Sequence, residues 1–201
     1  MVRIISGTLK GRKIPNVFNV KDVNPSSDMI KGALFSILGD EINNKIFCDL
    51  YAGTGNIGFE ALSRGADSCI FLESFKKMAL LIGKTANEFK VKDKVKTICG
   101  DVINLINKNF LETYLPDIIF LDPPYELRLG GKTLEAIAGK VSCRSCACDY
   151  RPLIIVQHDK KEILQNRYED YFLTKEKIYG RSALSFYENI YEYKKTAKDD
   201  L

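Results

Sequence analysis

Residues 49–58 read DLYAGTGNIG, a turn with three glycines between a strand-like run and a helical one. The run before it, residues 46–51, is short and apolar, and residues 57–64 have helical character before Gly65. Glycine lets the backbone turn sharply and approach a ligand without a clashing Cβ atom. The spacing Gly-x-Gly-x-x-Gly is also the fingerprint of nucleotide-binding α/β folds, although alone it is a weak signal. The stretch therefore predicts a strand, a tight loop and a helix.

Outside this stretch, strand-like and helical runs continue to alternate along the chain. Such alternation is typical of a parallel sheet with helices on both faces. The end differs, because residues 171–178 and 185–193 are both strand-like and no helix separates them. They predict a hairpin at one edge of the sheet. The further strands predicted inside the alternating region are residues 69–73, 95–99, 118–121 and 153–157. We predict an α/β, Rossmann-like fold with seven strands, mostly parallel, and a C-terminal antiparallel hairpin.

The first residues predict a small hairpin of their own. Val2, Ile4 and Ile14 favour strands, and Gly7 and Gly11 flank a basic turn between them. The predicted organisation is a basic N-terminal hairpin extension over residues 1–24, a main domain over residues 25–194 and a charged tail over residues 195–201.

Positive charge is concentrated at the beginning of the chain. The net charge is +4, and residues 1–32 contain six basic and two acidic residues. The remaining residues balance as a whole. A basic arm beside a neutral domain suits binding to a phosphate backbone, and a merely solvated surface is the alternative. No run of about 20 apolar residues predicts a membrane span, and residues 1–7 lack the apolar region of a secretory signal. We expect a cytoplasmic protein.

The six cysteines fall into two groups. Cys48, Cys69 and Cys99 lie in apolar strand-like runs and are expected to be reduced core residues. Cys143, Cys146 and Cys148 could supply three thiolates to a metal or an iron–sulfur cluster. Since no fourth ligand is evident, we predict loop cysteines that are open to oxidation and no metal site.

Acidic residues follow three successive predicted strands. Asp49 ends the first, Glu73 ends the second, and Asp101 follows the third. The carboxyl ends of parallel strands share one edge of a sheet, so these acids are expected on one rim. There Glu73 could accept hydrogen bonds from both ribose hydroxyls, and Asp101 could face an adenine edge. Asp49 would repel a pyrophosphate but attract an ammonium group, which favours S-adenosylmethionine over a dinucleotide. In the alternative reading, Asp49 and Asp101 only cap helices.

The fourth predicted strand leads into Asp122-Pro123-Pro124-Tyr125. Two prolines stiffen the segment and remove two backbone donors. The Asp122 carboxylate and the Pro123 carbonyl could each accept one hydrogen of a planar amino group, and Tyr125 could stack on the base that carries it. Positioning of this kind suits methyl transfer to an amine, for which a base must leave its stack. A rigid turn without chemistry is the alternative.

With these motifs in place, the chain resembles the bacterial RsmD-type methyltransferases, which act on the N2 atom of a guanine in 16S ribosomal RNA. The likeness covers residues 3–12, 25–35, 49–66, 122–125 and 179–187. It implies a class I methyltransferase with S-adenosylmethionine as its cofactor. Asn24, Met29 and Gly32 depart from the family pattern in the segment expected to meet substrate.

The resemblance also implies residue roles. The catalytic positions are Asp122, Pro123 and Tyr125. The cofactor positions are Asp49, Gly53, Gly55, Glu73, Asp101 and Val102. The residues expected to bind substrate RNA are Arg3, Lys10, Arg12, Lys13, Ser27 and Asp28. The expected partner is 16S ribosomal RNA or a small-subunit assembly particle, with the protein acting as a monomer. The alternatives are methylation of an amine in DNA or protein, and a non-catalytic ribosome-assembly factor that binds RNA. A dehydrogenase is a weaker option.

Overall fold

The computed structural model describes residues 2–15, 25–124, 127, 129–141 and 150–189. The chain divides into two compact units. The first comprises Met1–Val102 and Pro116–Phe120, and the second comprises Ile103–Leu115 and Leu121–Leu201. The predicted boundaries after residues 24 and 194 fall at or beyond the edges of described segments, so that division into domains stays a prediction.

The first unit is built on a parallel sheet. Its strand order is β5-β4-β3-β6, and each neighbouring pair is parallel. The strands are β3 (Ile46–Asp49), β4 (Ser68–Glu73), β5 (Val95–Cys99) and β6 (Ile118–Leu121). The helices are α1 (Pro25–Leu38), α2 (Asn56–Ser63) and α3 (Lys76–Glu88), with 3₁₀ turns at Gly39–Ile42 and Lys92–Lys94. A two-stranded antiparallel hairpin, β1 (Val2–Arg3) and β2 (Lys13–Ile14), precedes them.

Burial on both faces explains why these strands form a parallel sheet. β3, β4 and β6 are almost wholly buried, as expected for parallel strands covered on both faces. Phe47 of β3 packs within 6.3 Å of Phe35 of α1 and within 6.3 Å of Phe120 of β6, measured between ring centroids. Phe71 of β4 meets Phe59 of α2 at 5.0 Å. The strand register places Phe47, Phe71 and Phe120 on one face of the sheet, so α1 and α2 bury apolar side chains against that same face.

The second unit ends in antiparallel strands with the order β7-β10-β9-β8. The strands are β7 (Leu153–Asp159), β8 (Arg167–Tyr168), β9 (Tyr171–Tyr179) and β10 (Ser182–Asn189). The helices are α4 (Val102–Asn107), which begins in the first unit, α5 (Phe110–Tyr114) and α6 (Gly130–Val141). Gly180 has a φ of 62°, the left-handed conformation that the tight turn of the β9–β10 hairpin requires.

The predicted fold class is confirmed: an α/β sheet, mostly parallel, with a closing antiparallel hairpin. The described strands of the central sheet number eight where seven were expected, because Arg167 and Tyr168 form a short extra strand against Phe172 and Tyr171. Among the described helices, none is long and apolar enough to cross a membrane.

One prediction about the core is wrong. Cys48 and Cys69 are fully buried as expected, and burial raises the pKa of both thiols well above the usual value. Cys99 is exposed instead. It lies on β5, the outermost strand of the first unit, where one side of the strand has no neighbour to cover it.

Candidate active site

The glycine loop has the geometry that its sequence predicts. Gly53 and Gly55 adopt φ values of 53° and 81°, in the left-handed region that favours glycine. Nothing lies within 4 Å of the place where a Cβ atom on Gly53 would sit, so the loop is open there. A Cβ atom on Gly58 would meet the Phe71 ring at 2.2 Å, because α2 packs directly on β4. The first two glycines thus shape the loop, and the third allows close packing of helix on strand.

Asp49 stabilises the end of this loop by a hydrogen bond to the backbone of α2. Its side chain is buried, and Oδ2 accepts the Gly58 N–H at 3.2 Å. A carboxylate near the N-terminus of a helix is stabilised by the unpaired N–H groups and by the helix dipole. Asp49 therefore helps to fix the start of α2. The alternative interpretation of Asp49 as a helix-capping residue is therefore supported at this position. Its attraction to the ammonium group of a cofactor stays a prediction.

Glu73 connects the loop to the next helix. Its Oε2 accepts the Gly53 N–H at 2.8 Å, and its Oε1 accepts the Phe75 N–H at 2.7 Å. Oε1 also accepts the Ser74 hydroxyl at 3.4 Å. Because a carboxylate offers about four lone-pair sites, one acceptor position remains beside these three contacts, and a ribose hydroxyl could take it. The half-buried carboxylate thus fits the adenosine part of S-adenosylmethionine. Phe75 lies beside Glu73 with 56% of its side chain exposed, and its presence at this site was not predicted from the sequence. The only signal for it in the sequence is an aromatic residue two positions after the acid.

Asp101 and Val102 lie at the end of the neighbouring strand. β5 pairs with β4 so that Cys99 stands opposite Glu73, and the Gly100 N–H donates to the Glu73 carbonyl at 3.1 Å. Asp101 is exposed, whereas Val102 is buried. The three acids therefore follow three adjacent parallel strands, β3, β4 and β5, as the sequence predicted. Their part in cofactor binding stays a prediction.

In the second unit, Asp122 and Pro123 offer two hydrogen-bond acceptors. Asp122 is half-buried, and loss of hydration raises the pKa of its carboxyl from 3.8 to about 7. Among the described residues, neither the Asp122 carboxylate nor the Pro123 carbonyl has a hydrogen-bond partner. The Pro124 carbonyl, in contrast, accepts the Leu127 N–H at 3.1 Å. A carboxyl with a pKa near 7 and a backbone carbonyl beside it suit a ligand that donates two hydrogens.

The N-terminal hairpin presents positive charge to solvent. Arg3, Lys10, Arg12 and Lys13 are all exposed. Arg3 of β1 stands directly opposite Lys13 of β2. Like charges at directly opposed positions of an antiparallel pair are destabilising, so their presence favours an anionic ligand. The predicted contribution of these residues to RNA binding stays a prediction.

A buried charge cluster under this hairpin was not predicted from the sequence. The Lys31 ammonium, fully buried, donates to the Arg3 carbonyl at 2.6 Å and to Asn56 Oδ1 at 2.8 Å, and lies 3.4 Å from Glu60 Oε2. Glu60 in turn accepts the N–H groups of Ile5 and Ser6 at 2.8 and 3.0 Å. The cluster joins the hairpin backbone to α1 and to the first residue of α2. A glutamate in the apolar run FEAL was the available signal.

The structure gives fewer contacts for the remaining candidate residues. Asp28 lies 3.6 Å from the Lys31 ammonium, so its charge is partly matched within the protein. Tyr125, the side chain of Ser27, and the cysteines at 143, 146 and 148 lie outside the described residues. Within the described ranges, no group of three or more His, Cys, Asp or Glu side chains could hold a metal ion. His158 is a buried strand residue that bonds to Ser185 Oγ at 2.9 Å.

These features define a class of protein. A parallel order β5-β4-β3-β6 with a glycine turn after β3 and acids at adjacent strand ends is the fold of S-adenosylmethionine-dependent methyltransferases. A solved chain from Escherichia coli, yhhF, named provisionally as a methyltransferase, superposes with a TM-score of 0.73 at 25% identity, covering 94% of this chain and 97% of that one. An RNA methyltransferase from Salinibacter ruber, in complex with S-adenosyl-L-homocysteine, gives 0.58 at 13% identity, covering 83% and 94%; this likeness shows the fold alone.

The chain belongs to the family described as Conserved hypothetical protein 95, whose model matches residues 2–188. It is similar to the Haemophilus influenzae protein named Ribosomal RNA small subunit methyltransferase D, with 33% identity and 94% of each chain covered. A protein of the same name from Buchnera aphidicola subsp. Acyrthosiphon pisum is 34% identical over 80% of each chain. The resemblance to the RsmD-type methyltransferases is thereby confirmed.

Proposed function

We propose that this chain transfers a methyl group from S-adenosylmethionine to the exocyclic N2 amine of a guanine in 16S ribosomal RNA of the small subunit. The observation that carries the chemistry is the pair of acceptors at Asp122 and Pro123, which have no hydrogen-bond partner among the described residues, with the pKa of the Asp122 carboxyl raised to about 7. The names of the similar proteins support ribosomal RNA of the small subunit as the substrate. Action as a monomer and a cytoplasmic location stay predictions.

The cofactor half of the proposal rests on the loop of the first unit. Glu73 keeps an acceptor site for a ribose hydroxyl, and Gly53 leaves the loop surface open. A protein of the same fold is in complex with S-adenosyl-L-homocysteine, which supports S-adenosylmethionine as the cofactor. We infer that Asp101 and Val102 contribute polar and apolar contacts to the adenine, and that Asp49 and Gly55 maintain the loop.

The acceptors in the proline tetrad, Asp122-Pro123-Pro124-Tyr125, explain how an amine could be made reactive. S-adenosylmethionine, when bound, supplies a methyl group on a positively charged sulfur. Asp122 and Pro123 each accept one hydrogen of the amine, which orients the nitrogen lone pair and weakens its conjugation with the base. With a pKa near 7, the Asp122 carboxyl is also suited to take the proton that the nitrogen releases after methylation. Tyr125 is proposed to stack on the base.

The test is transfer of radiolabel from S-adenosylmethionine to purified small subunits, naked 16S RNA, DNA and a protein mixture. We expect label in ribosomal RNA, and we expect one guanine that is methylated in wild-type cells to be unmodified in cells lacking the protein. Asp122→Ala is expected to abolish transfer while cofactor binding persists. Label in protein or DNA alone would identify another amine as the target, and intact transfer by Asp122→Ala would refute the assigned role.

A further inference from the structure

Residues 33–201 have no net charge as a whole, but they contain a second basic segment. Residues 76–96 contain seven lysines and only two acids, Glu88 and Asp93. All seven lysine side chains are exposed. We call them the lysine surface: Lys76, Lys77, Lys84, Lys90, Lys92, Lys94 and Lys96.

The charges of the lysine surface are not matched within the protein. Among the described residues, none of the seven side chains makes an ion pair or a hydrogen bond. Exposed cations elsewhere do find partners, such as Lys45 with Asp117 at 3.4 Å and Arg181 with Asp159 at 2.8 Å. A dense set of unmatched like charges raises the local potential, and a polyanion would relieve it.

The lysine surface adjoins the basic hairpin within the first unit. Arg12 donates from Nη1 to the Glu88 carbonyl at 3.1 Å, and its guanidinium lies 5.4 Å from the centre of the Phe89 ring. Lys90 is the next residue along the chain. Arg12 therefore brings the basic hairpin against the end of α3, next to Lys90 of the lysine surface.

A simpler explanation covers only part of this surface. Lysines are often placed on the outermost strand of a sheet to prevent pairing with another chain. β5 is such a strand, but Lys96 alone among the seven lies on it. The others belong to α3, to the connection that follows it and to the turn Lys92–Lys94. Protection of an edge therefore does not account for six of the seven charges.

We propose that the lysine surface binds the phosphate backbone of the substrate RNA away from the target guanine, as a continuation of the basic hairpin. The proposal rests on the proposed function, since it assumes an RNA substrate. Lysine ammonium groups act on phosphates as point charges and read no base sequence. The surface is therefore expected to add affinity and salt dependence, with little effect on the methyl-transfer step or on which guanine is chosen.

The test compares two variants with equal loss of charge. The first carries Lys84→Gln, Lys92→Gln, Lys94→Gln and Lys96→Gln in the lysine surface. The control carries Lys132→Gln, Lys160→Gln, Lys161→Gln and Lys177→Gln, which are exposed lysines of the second unit. Binding of naked 16S RNA and of a 30-base-pair RNA duplex is measured against potassium chloride concentration, and S-adenosyl-L-homocysteine binding checks that the cofactor site is intact.

We expect the first variant to bind both RNAs at least about tenfold more weakly at low salt, with a slope of log K against log salt reduced by roughly 3, because each of the four removed phosphate contacts contributes about 0.7–0.9. KM for RNA should rise while kcat is kept. The control variant should behave as wild type. Equal losses in both variants, wild-type binding by the first, or absence of RNA binding by the wild-type protein would overturn the proposal. Whether the wild-type protein methylates RNA at all is read separately and bears on the proposed function.

Discussion

Asp122→Asn should gain stability relative to wild type as pH rises from 4 to 8, and it should be less active. The carboxyl has a pKa of about 7 in the folded protein against 3.8 as its ordinary value, because burial penalises the charged form. A carboxyl with a raised folded pKa destabilises the protein above its unfolded pKa. That cost is small near pH 4, grows up to about pH 7 and is constant beyond. Since one pKa unit corresponds to ~1.4 kcal/mol, the full cost is about 4 kcal/mol as an upper limit.

Asparagine removes the charge but brings an amide whose N–H groups need acceptors, at a pH-independent cost on the order of 1–3 kcal/mol. The informative quantity is therefore the change with pH. Relative to wild type, the free energy of unfolding of the variant should rise by about 3–4 kcal/mol between pH 4 and pH 8. Urea denaturation at both pH values measures it. Asp159→Asn is the control of opposite sign, because hydrogen bonds from Arg181 and from the Lys161 backbone lower the pKa of the half-buried Asp159 carboxyl.

The activity of the same variant tests the role of the group. Wild-type kcat should fall as pH is lowered through about 7, since a protonated Asp122 is a weaker acceptor for the amine hydrogen and cannot take up a proton. In Asp122→Asn the rate should drop by roughly 10²–10³-fold and lose this dependence. A variant whose stability difference from wild type is the same at pH 4 and pH 8 would show that the carboxyl is not held in the neutral form by burial. The reasoning would then be wrong.

Three further changes probe the first unit. Gly58→Ala should lower the free energy of unfolding by about 1–3 kcal/mol, because its Cβ atom would enter the Phe71 ring; thermal unfolding measures this, and an unchanged Tm would contradict the packing. Glu60→Gln should cost about 3 kcal/mol in urea denaturation, since it removes the buried carboxylate at 3.4 Å from the buried Lys31 ammonium and leaves the partly exposed Asp28 carboxylate, at 3.6 Å, to balance that charge, whereas Glu41→Gln on the surface should cost little. Glu73→Gln should weaken S-adenosyl-L-homocysteine binding about tenfold by calorimetry, and unaltered affinity would remove Glu73 from the cofactor site.

Much of the fold and of the active site could be predicted because it depends on neighbouring residues. The positive φ values of Gly53 and Gly55 are accessible to glycine at little cost, so the loop could be placed from the sequence. Pro123 and Pro124 likewise restrict their own backbone and cannot donate hydrogen bonds. The alternation of strands and helices reflects periodicities of two and 3.6 residues, which are also local.

What the tertiary structure decided depends on residues far apart in the chain. Lys31 and Glu60 are 29 positions apart, and only the packing of α1 against α2 and the hairpin makes them a buried pair. Cys99 lies in an apolar run, yet the position of β5 at the edge exposes it. The pKa of Asp122 depends on how much water the fold removes from its carboxyl.

The glycine loop and the proline tetrad follow from the sequence by itself, because backbone conformation is set by the residue and its immediate neighbours. Burial, charge pairing and pKa values follow from the fold, because solvation and electrostatic energies sum over every group that folding brings near. For this chain the sequence determined which atoms could hold a cofactor and an amine. The structure decided that burial raises the pKa of Asp122 to about 7, and that the lysines of α3, near the N-terminal hairpin, have no ion-pair partner among the described residues.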